Sequence, residues 1–376
     1  MSRPPLPDSL FLPFTFKETI MSVFNKSLLA TLAALSLAGG ALAQAPTKLR
    51  FVLPHPNIAV GEEVYLYAVP KALGFFKEEG LDVSVSTVSG SVAAGGVLVS
   101  GSADIGGMLA ESLIGMREQG GKVKAFYSLK TNNGFTVAVL PGSPIKGIKD
   151  LTGKKVGFSV AGSGSDKLLN EQIRQEGVDA KYQAMSVGTG PSVVTALRSG
   201  QIDALVLWEA IYAILGNQGL NVTHFEMPIQ DQLAGYSLVA SDEYIQKNPK
   251  AVAGYCRAVA KALHFTLAQP QAAVEIFFKE FPSLVPADKS RDVALKEGVN
   301  IMNAFLSRAQ KGVTFGSKTG YLEPKKWSYT NEVYTKFGQL KGTTKPEDAY
   351  TNAFFEQCNG FDRPAMKAMA DKVAAR

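Results

Sequence analysis

The sequence predicts an α/β protein of two similar lobes with mostly parallel sheets, followed by a helical C-terminal tail. Three observations carry that prediction. Short β-rich runs alternate with amphipathic stretches from Leu49 to Ala240, the alternation of a parallel sheet covered on both faces. Residue clusters from the first half of that span recur in the second at a nearly fixed offset, which marks a duplicated unit. Beyond Ala240 the strand pattern stops and helical spacing takes over.

Taken in order, Met1 to Ile20 holds Pro4, Pro5, Pro7 and Pro13 without a sustained period and reads as an upstream extension. From Met21 the chain reads Lys26, an apolar run Leu28 to Ala38, and Ala41-Leu42-Ala43 before Gln44. That is the pattern of a secretory signal peptide, residues 21–43, too short to span a bilayer. No Cys follows Ala43 directly, so no lipid anchor is expected there. Leu49 to Leu53 reads as a strand, Val64 to Lys77 as a helix and Leu81 to Thr87 as a strand. Ala93 to Ser100 is then helical, Ala103 to Met108 a strand, Leu113 to Gln119 helical and Val123 to Leu129 a strand. The order restarts at Lys155, where Lys155 to Val160 is β-rich and Leu168, Leu169 and Ile173 carry helical spacing.

The duplication is visible in residues. Lys77-Glu-Glu-Gly-Leu-Asp-Val is matched by Arg174-Gln-Glu-Gly-Val-Asp-Ala, and Ser100-Gly-Ser-Ala-Asp-Ile by Ser199-Gly-Gln-Ile-Asp-Ala. The economical topology places residues 44–133 and 238–376 in lobe one and 134–237 in lobe two. Two crossings, near Asn133 and Tyr236, then form a hinge. The tail helices Val252 to Leu267, Gln271 to Phe281, Ala294 to Gln310 and Lys325 to Phe337, broken by Pro270, Pro282 and Pro286, pack on lobe one.

Composition limits the function classes. A formal charge of +6, reduced to +5 without residues 1–43, is spread along the chain and does not indicate a nucleic-acid partner. Cys256 and Cys358 are compatible with a disulfide after export or with two separate buried thiols. His55, His224 and His264 have no metal-motif spacing. No cofactor or metal is expected, and the chain is expected to be a monomer.

Four stretches carry a family resemblance: Ala72-Leu-Gly-Phe-Phe-Lys-Glu-Glu-Gly-Leu-Asp-Val, Ser100-Gly-Ser-Ala-Asp-Ile-Gly, Ile148-Lys-Asp-Leu-Thr-Gly-Lys-Lys-Val-Gly and Gly200-Gln-Ile-Asp-Ala-Leu-Val-Leu-Trp-Glu. The chain resembles the periplasmic substrate-binding proteins of ABC transporters of the nitrate, sulfonate and taurine type. These are related to binding proteins for thiamine-pyrimidine precursors. The resemblance implies a two-lobed type II periplasmic binding protein fold that closes on a small solute and delivers it to a membrane permease.

Candidate ligand residues lie in loops beyond strand ends, where open α/β sheets bind ligands. Ser163, Gly164 and Ser165 open a helix whose free N–H groups suit an anionic or polar group. His55, between Pro54 and Pro56, occupies the matching position in lobe one. Gly106 and Gly107 permit close approach, with Met108 beside them and Glu111 able to accept from an amine; Trp208 can stack on a planar ligand, with Glu209 next to it as a further candidate. Thr131 and Asn132 at the first crossing and Thr189 at a helix start are polar wall candidates. The Ser-rich loop favours an organic anion such as a sulfonate, or a nitrate-like oxyanion. Glu111, Trp208 and Glu209 favour an amine-bearing heterocycle such as a pyrimidine. A thiamine-pyrimidine synthase-like enzyme is a distant alternative, since the Cys-rich motif of that family does not occur here. The related effector-sensing regulators would need a DNA-binding helix-turn-helix, and the N-terminal pattern reads as a signal peptide instead.

Overall fold

In the computed structural model the described residues are 45–131 and 134–374. The expected upstream extension and signal peptide therefore lie outside the described residues. The strands are β1 Thr47–Leu53, β2 Leu81–Thr87, β3 Ile105–Leu109, β4 Val123–Ser128, β5 Phe135–Val139, β6 Lys155–Phe158, β7 Gln183–Ser186, β8 Ala204–Trp208, β9 Thr223–Phe225 and β10 Tyr236–Ser241. They form two five-stranded sheets, ordered β2-β1-β3-β10-β4 and β7-β6-β8-β5-β9.

In the first sheet β1 runs parallel to β2 and β3, while β10 is antiparallel to both β3 and β4. The second repeats this, with β6 parallel to β7 and β8, and β5 antiparallel to β8 and β9. Each sheet thus has one reversed strand, and in each it is the strand that follows a passage from the other sheet. A chain arriving at the carboxyl ends of the parallel strands can only run backwards along them. The reversed strand is therefore the signature of a crossing at the edge where ligand loops cluster.

Lobe one is held by a helical run that is apolar on every face. Val64–Ala68, wound as a π-helix, continues as Val69–Ala72, and every side chain from Val64 to Val69 is at most 6% exposed. A helix apolar all round must be buried on all sides. The tail helices Pro249–Ala268 and Pro270–Glu280 cover it, and the Tyr255 hydroxyl donates to the Leu66 carbonyl at 3.2 Å. The single helix expected from Val64 to Lys77 is broken, because Gly74 takes φ 78° and a separate turn, Phe75–Glu78, begins there. Proline stands in the first turn of Pro249–Ala268, Pro270–Glu280 and Pro324–Lys336, where its missing N–H costs nothing.

The tail packs on lobe one and also reaches lobe two. Helix Arg291–Ala309 lies against helix Glu209–Asn217, with Asn300 Nδ2 donating to Asn217 Oδ1 at 3.0 Å. From helix Pro324–Lys336, Lys336 Nζ meets Glu171 of helix Gly164–Gln175 at 3.0 Å. Just beyond it, the Lys341 N–H donates to Glu118 of helix Ala110–Glu118 at 2.8 Å.

Cys256 and Cys358 form a disulfide, Cα to Cα 5.1 Å across 102 residues. The bond ties the end of the tail to the helix that covers lobe one. Closing a loop of that length removes much denatured-state entropy, and bonds of this kind stabilise by about 2–4 kcal/mol. Cys256→Ser should lower the guanidinium unfolding free energy by about that amount, and reduction of the wild type should match it. Equal midpoints for oxidised wild type, reduced wild type and variant would show that the bond contributes nothing.

Candidate functional site

The residues that meet between the two sheets form a buried charge cluster, most of it supplied by positions the sequence did not single out. Lys130, just after β4 on the first crossing, holds its ammonium 3.7 Å from Glu62 Oε2 and 3.9 Å from Glu209 Oε1. Glu62 precedes the apolar helical run of lobe one, and Glu209 is the first residue of the helix after β8. The ammonium also lies over the Phe305 ring, 4.7 Å from its centroid, and 5.8 Å from that of Tyr236. His55 places Nε2 3.5 Å from Glu62 and Nδ1 3.3 Å from Glu63. One ammonium and one imidazole therefore face three carboxylates.

Burial and charge decide how these groups ionise. Burial opposes the Glu62 carboxylate, but Lys130 and His55 overcome it and hold its pKa below the usual range. Burial and the Glu62 charge push Glu63 up. Burial works against a charged His55, yet Glu62 and Glu63 lift it to about 9. Burial raises Glu209 to about 6, with Lys130 pulling the other way. Neither Glu209 oxygen has a hydrogen-bond partner, although its side chain is only 1% exposed. Glu209 also explains Gly134, whose φ is 74° and where a Cβ would sit 2.0 Å from Glu209 Oε2. The carboxylate packs directly on the crossing backbone.

The crossing itself is pinned. The Leu129 carbonyl accepts from the Gln310 amide and, at 3.5 Å, from the Tyr65 hydroxyl. The Leu129 and Lys130 N–H groups both donate to the Tyr236 carbonyl. Thr131 gives its hydroxyl to the carbonyls of Ala309 and Lys311 at 3.3 and 3.2 Å, so this wall candidate is engaged in anchoring the tail. Asn132 lies outside the described residues.

Glu111 and Gly164 meet elsewhere. With Gly115, Tyr334 and Leu340 they line a cavity of about 400 Å³, to which lobe one, lobe two and the tail all contribute. Glu111 Oε2 is buried without a partner, and burial pushes that carboxyl up to about 7.

The Ser-rich loop is organised by an acid of its own. Ser163 is the N-cap of helix Gly164–Gln175, and its hydroxyl lies 3.1 Å from that of Ser165. Asp166 reaches back so that the Gly162 N–H donates to its Oδ2 at 2.7 Å, and Tyr182 donates to its other oxygen. The helix N-terminus already carries a negative charge in its first turn.

Other expected residues take other places. Met108 is fully buried, with its methyl 3.0 Å from where a Gly95 Cβ would lie, and it fills core. Gly107 is required by Tyr236, whose hydroxyl lies 1.7 Å from the position of a Cβ there. Trp208 is half-buried, edge-on to Phe135 at 6.3 Å. Thr189 is exposed. The signal that could have found Glu62 and Glu63 is their position: two acids directly before an all-apolar helix sit at a buried end.

Two five-stranded, mostly parallel sheets joined by two crossings define the two-lobed fold of the periplasmic binding proteins. Its family follows from the sequence, since the model described as NMT1/THI5 like matches residues 63–273, more than half of the chain, and the chain belongs to that family. It is 26% identical over 298 residues to a Brucella abortus (strain 2308) protein provisionally named as a binding protein, covering 77% of this chain and 86% of the relative. It is 27% identical over 299 residues to the 4-amino-5-hydroxymethyl-2-methylpyrimidine phosphate synthase THI13 of Saccharomyces cerevisiae, covering 73% and 85%. The periplasmic aliphatic sulphonate binding protein SsuA of Escherichia coli shares the fold with a TM-score of 0.62 at 18% identity, over 81% of this chain and 92% of that one.

The raised pKa of Glu111 has a consequence for stability. An unfolded glutamate ionises near 4.5, whereas the folded one keeps its proton to about 7, so folding is favoured below 4.5 and that advantage is lost as pH rises through 7. Two to three pKa units correspond to about 3 kcal/mol. Glu111→Gln should therefore flatten the fall in unfolding free energy between those pH values and be the more stable protein on the alkaline side. Urea midpoints across that range would show it, and parallel pH profiles for the two proteins would contradict it.

Proposed function

We propose that this chain is the solute-binding component of an ABC import system, working in the periplasm, where it captures a small solute between its lobes and passes it to a membrane permease. The Cys256–Cys358 disulfide supports an oxidising compartment. A non-catalytic role is supported by the histidines: both ring nitrogens of His264 are taken by the Ala260 and Ser317 carbonyls, and His55 is held between two glutamates. Both cysteines are tied in the bond.

The observation that carries the choice of solute is the Glu209 carboxyl between the lobes, whose two oxygens accept no hydrogen bond. Among the described residues Glu62, Glu63 and Glu209 form their ion pairs with Lys130 and His55, and the Glu209 oxygens remain without a hydrogen bond. Such a site accepts hydrogen bonds and positive charge. A planar heterocycle with amino groups, of the aminopyrimidine kind, fits it, with Trp208 as the stacking surface. An organic anion or nitrate-like oxyanion is the second reading. It is favoured by the Ser163 and Ser165 hydroxyls and opposed by Asp166, which already occupies that helix start.

A thermal-shift panel of aminopyrimidines, sulfonates, nitrate and carboxylates separates the two. A ligand at 100 times its dissociation constant stabilises by about 2.7 kcal/mol. Aminopyrimidines should raise the melting temperature, and Glu209→Gln should weaken them about tenfold or more, the cost of losing a charged hydrogen-bond partner. Stabilisation by sulfonates or nitrate alone would reverse the assignment.

A further inference from the structure

The helices Glu209–Asn217 and Arg291–Ala309 leave between them a groove of about 450 Å³, within the size range of small-molecule sites. It stays open because the positions facing it are small, Ala213 and Gly216 on one helix and Ala304 on the other. Glu209 and Arg308, of opposite charge, both line it. They do not meet: Glu209 has no hydrogen-bond partner and its ion pair is with Lys130 at 3.9 Å, while Arg308 donates at 2.8 Å to Glu226, an acid 63% exposed. An ion pair that exposed is weak and readily exchanged for a better acceptor.

Apart from Val222, the rest of the lining is polar. The Tyr212 hydroxyl donates to the Thr136 carbonyl at 2.8 Å and accepts from the Leu207 N–H at 2.7 Å. His224 stands edge-on to that ring at 4.6 Å with Nδ1 3.3 Å from Thr136 Oγ1. Asn217 and Asn300 bond to each other, and the exposed amides of Asn221 and Asn303 also line the groove. Amides offer both donors and acceptors but no charge.

We propose that this groove is a second solute site that binds a small zwitterion of the α-amino acid class with an uncharged polar side chain, its ammonium on Glu209, its carboxylate on Arg308 and its side chain against the asparagine amides. A zwitterion offers Glu209 the hydrogen bond it lacks and gives Arg308 a carboxylate in place of the exposed Glu226, and Arg presents the forked donors that carboxylates prefer. The site shares only Glu209 with the interlobe cluster.

The test is calorimetric titration of the full-length protein with serine and asparagine. The matching amino alcohols, which lack the carboxylate, and the N-acetyl amino acids, which lack the ammonium, serve as controls. The amino acids should bind, and loss of either charge should weaken binding about tenfold or more. Arg308→Met should do the same, and Ala304→Leu, which fills the groove without altering charge, should abolish binding. No binding by either amino acid, equal binding by the N-acetyl forms, or unchanged binding in both variants would overturn the proposal. Should Ala304→Leu fail to fold, the wild-type series and Arg308→Met decide. Aminopyrimidines titrated into the same samples keep the two readings apart. Their binding should survive Ala304→Leu, so failure of the amino acids alone removes the groove and failure of the aminopyrimidines alone removes the interlobe reading.

Discussion

The Lys130 ammonium among Glu62, Glu63 and Glu209 is the constraint on which the arrangement between the lobes depends. Buried charges are tolerated only when paired, and three carboxylates facing one ammonium and one imidazole are incompletely paired. Lys130 sits on the crossing, Glu62 belongs to lobe one, and Glu209 opens a helix of lobe two. Removing the ammonium would leave carboxylates from both lobes without their common counter-charge. The surrounding hydrogen bonds serve the same end, since the Leu129 carbonyl, the Lys130 N–H and the Thr131 hydroxyl are each tied to a different neighbour. A side chain held at that point is a fixed reference against which two lobes can be positioned.

Around it the duplicated architecture places like beside like. Each sheet carries its reversed strand fourth in the order, β10 in one and β5 in the other, so both crossings enter at the carboxyl ends of the parallel strands. The tail complicates a simple hinge. Helix Arg291–Ala309 touches helix Glu209–Asn217, and helix Pro324–Lys336 touches helix Gly164–Gln175, while both belong to a tail whose end is tied by Cys256 and Cys358 to the helix that covers lobe one. A clamp built this way would move by sliding these polar contacts, most of them between side chains at the surface, while leaving the apolar run Val64 to Val69 intact. A solute that gained contacts on both lobes only when they approach would favour closure.

Much of the fold was legible because periodicity and repetition are properties of the chain itself. The strand Leu81 to Thr87 and the recurrence of the Ser-Gly and Asp positions before β3 and β8 were readable from spacing alone. So were the tail helices, to within a few residues. The break at Gly74 was missed because an apolar period runs straight through it, and only a positive φ reveals the turn. The site was less legible. Glu209 was found because it follows a strand, but Lys130 lies in a crossing where no period operates, and Tyr334 comes from a tail helix that nothing local connects to Glu111. Glu62 and Glu63 look like ordinary solvated acids until the helix after them is seen to have no polar face. Met108 and Thr131 occupy the right loops, yet one side chain turns into the core and the other is consumed by carbonyls. Side-chain direction within a loop is a tertiary property, and spacing does not encode it.

The central claim is that a solute joins the two lobes across the Lys130 cluster. Small-angle scattering of the protein, alone and saturated with an aminopyrimidine shown to bind, tests it most directly. A smaller radius of gyration is expected with ligand, and at a ligand concentration near the wild-type dissociation constant Glu209→Gln should show only a small fraction of the wild-type change. A bound aminopyrimidine that leaves the scattering of the wild type unchanged would contradict it and point to a rigid, preformed pocket within one lobe.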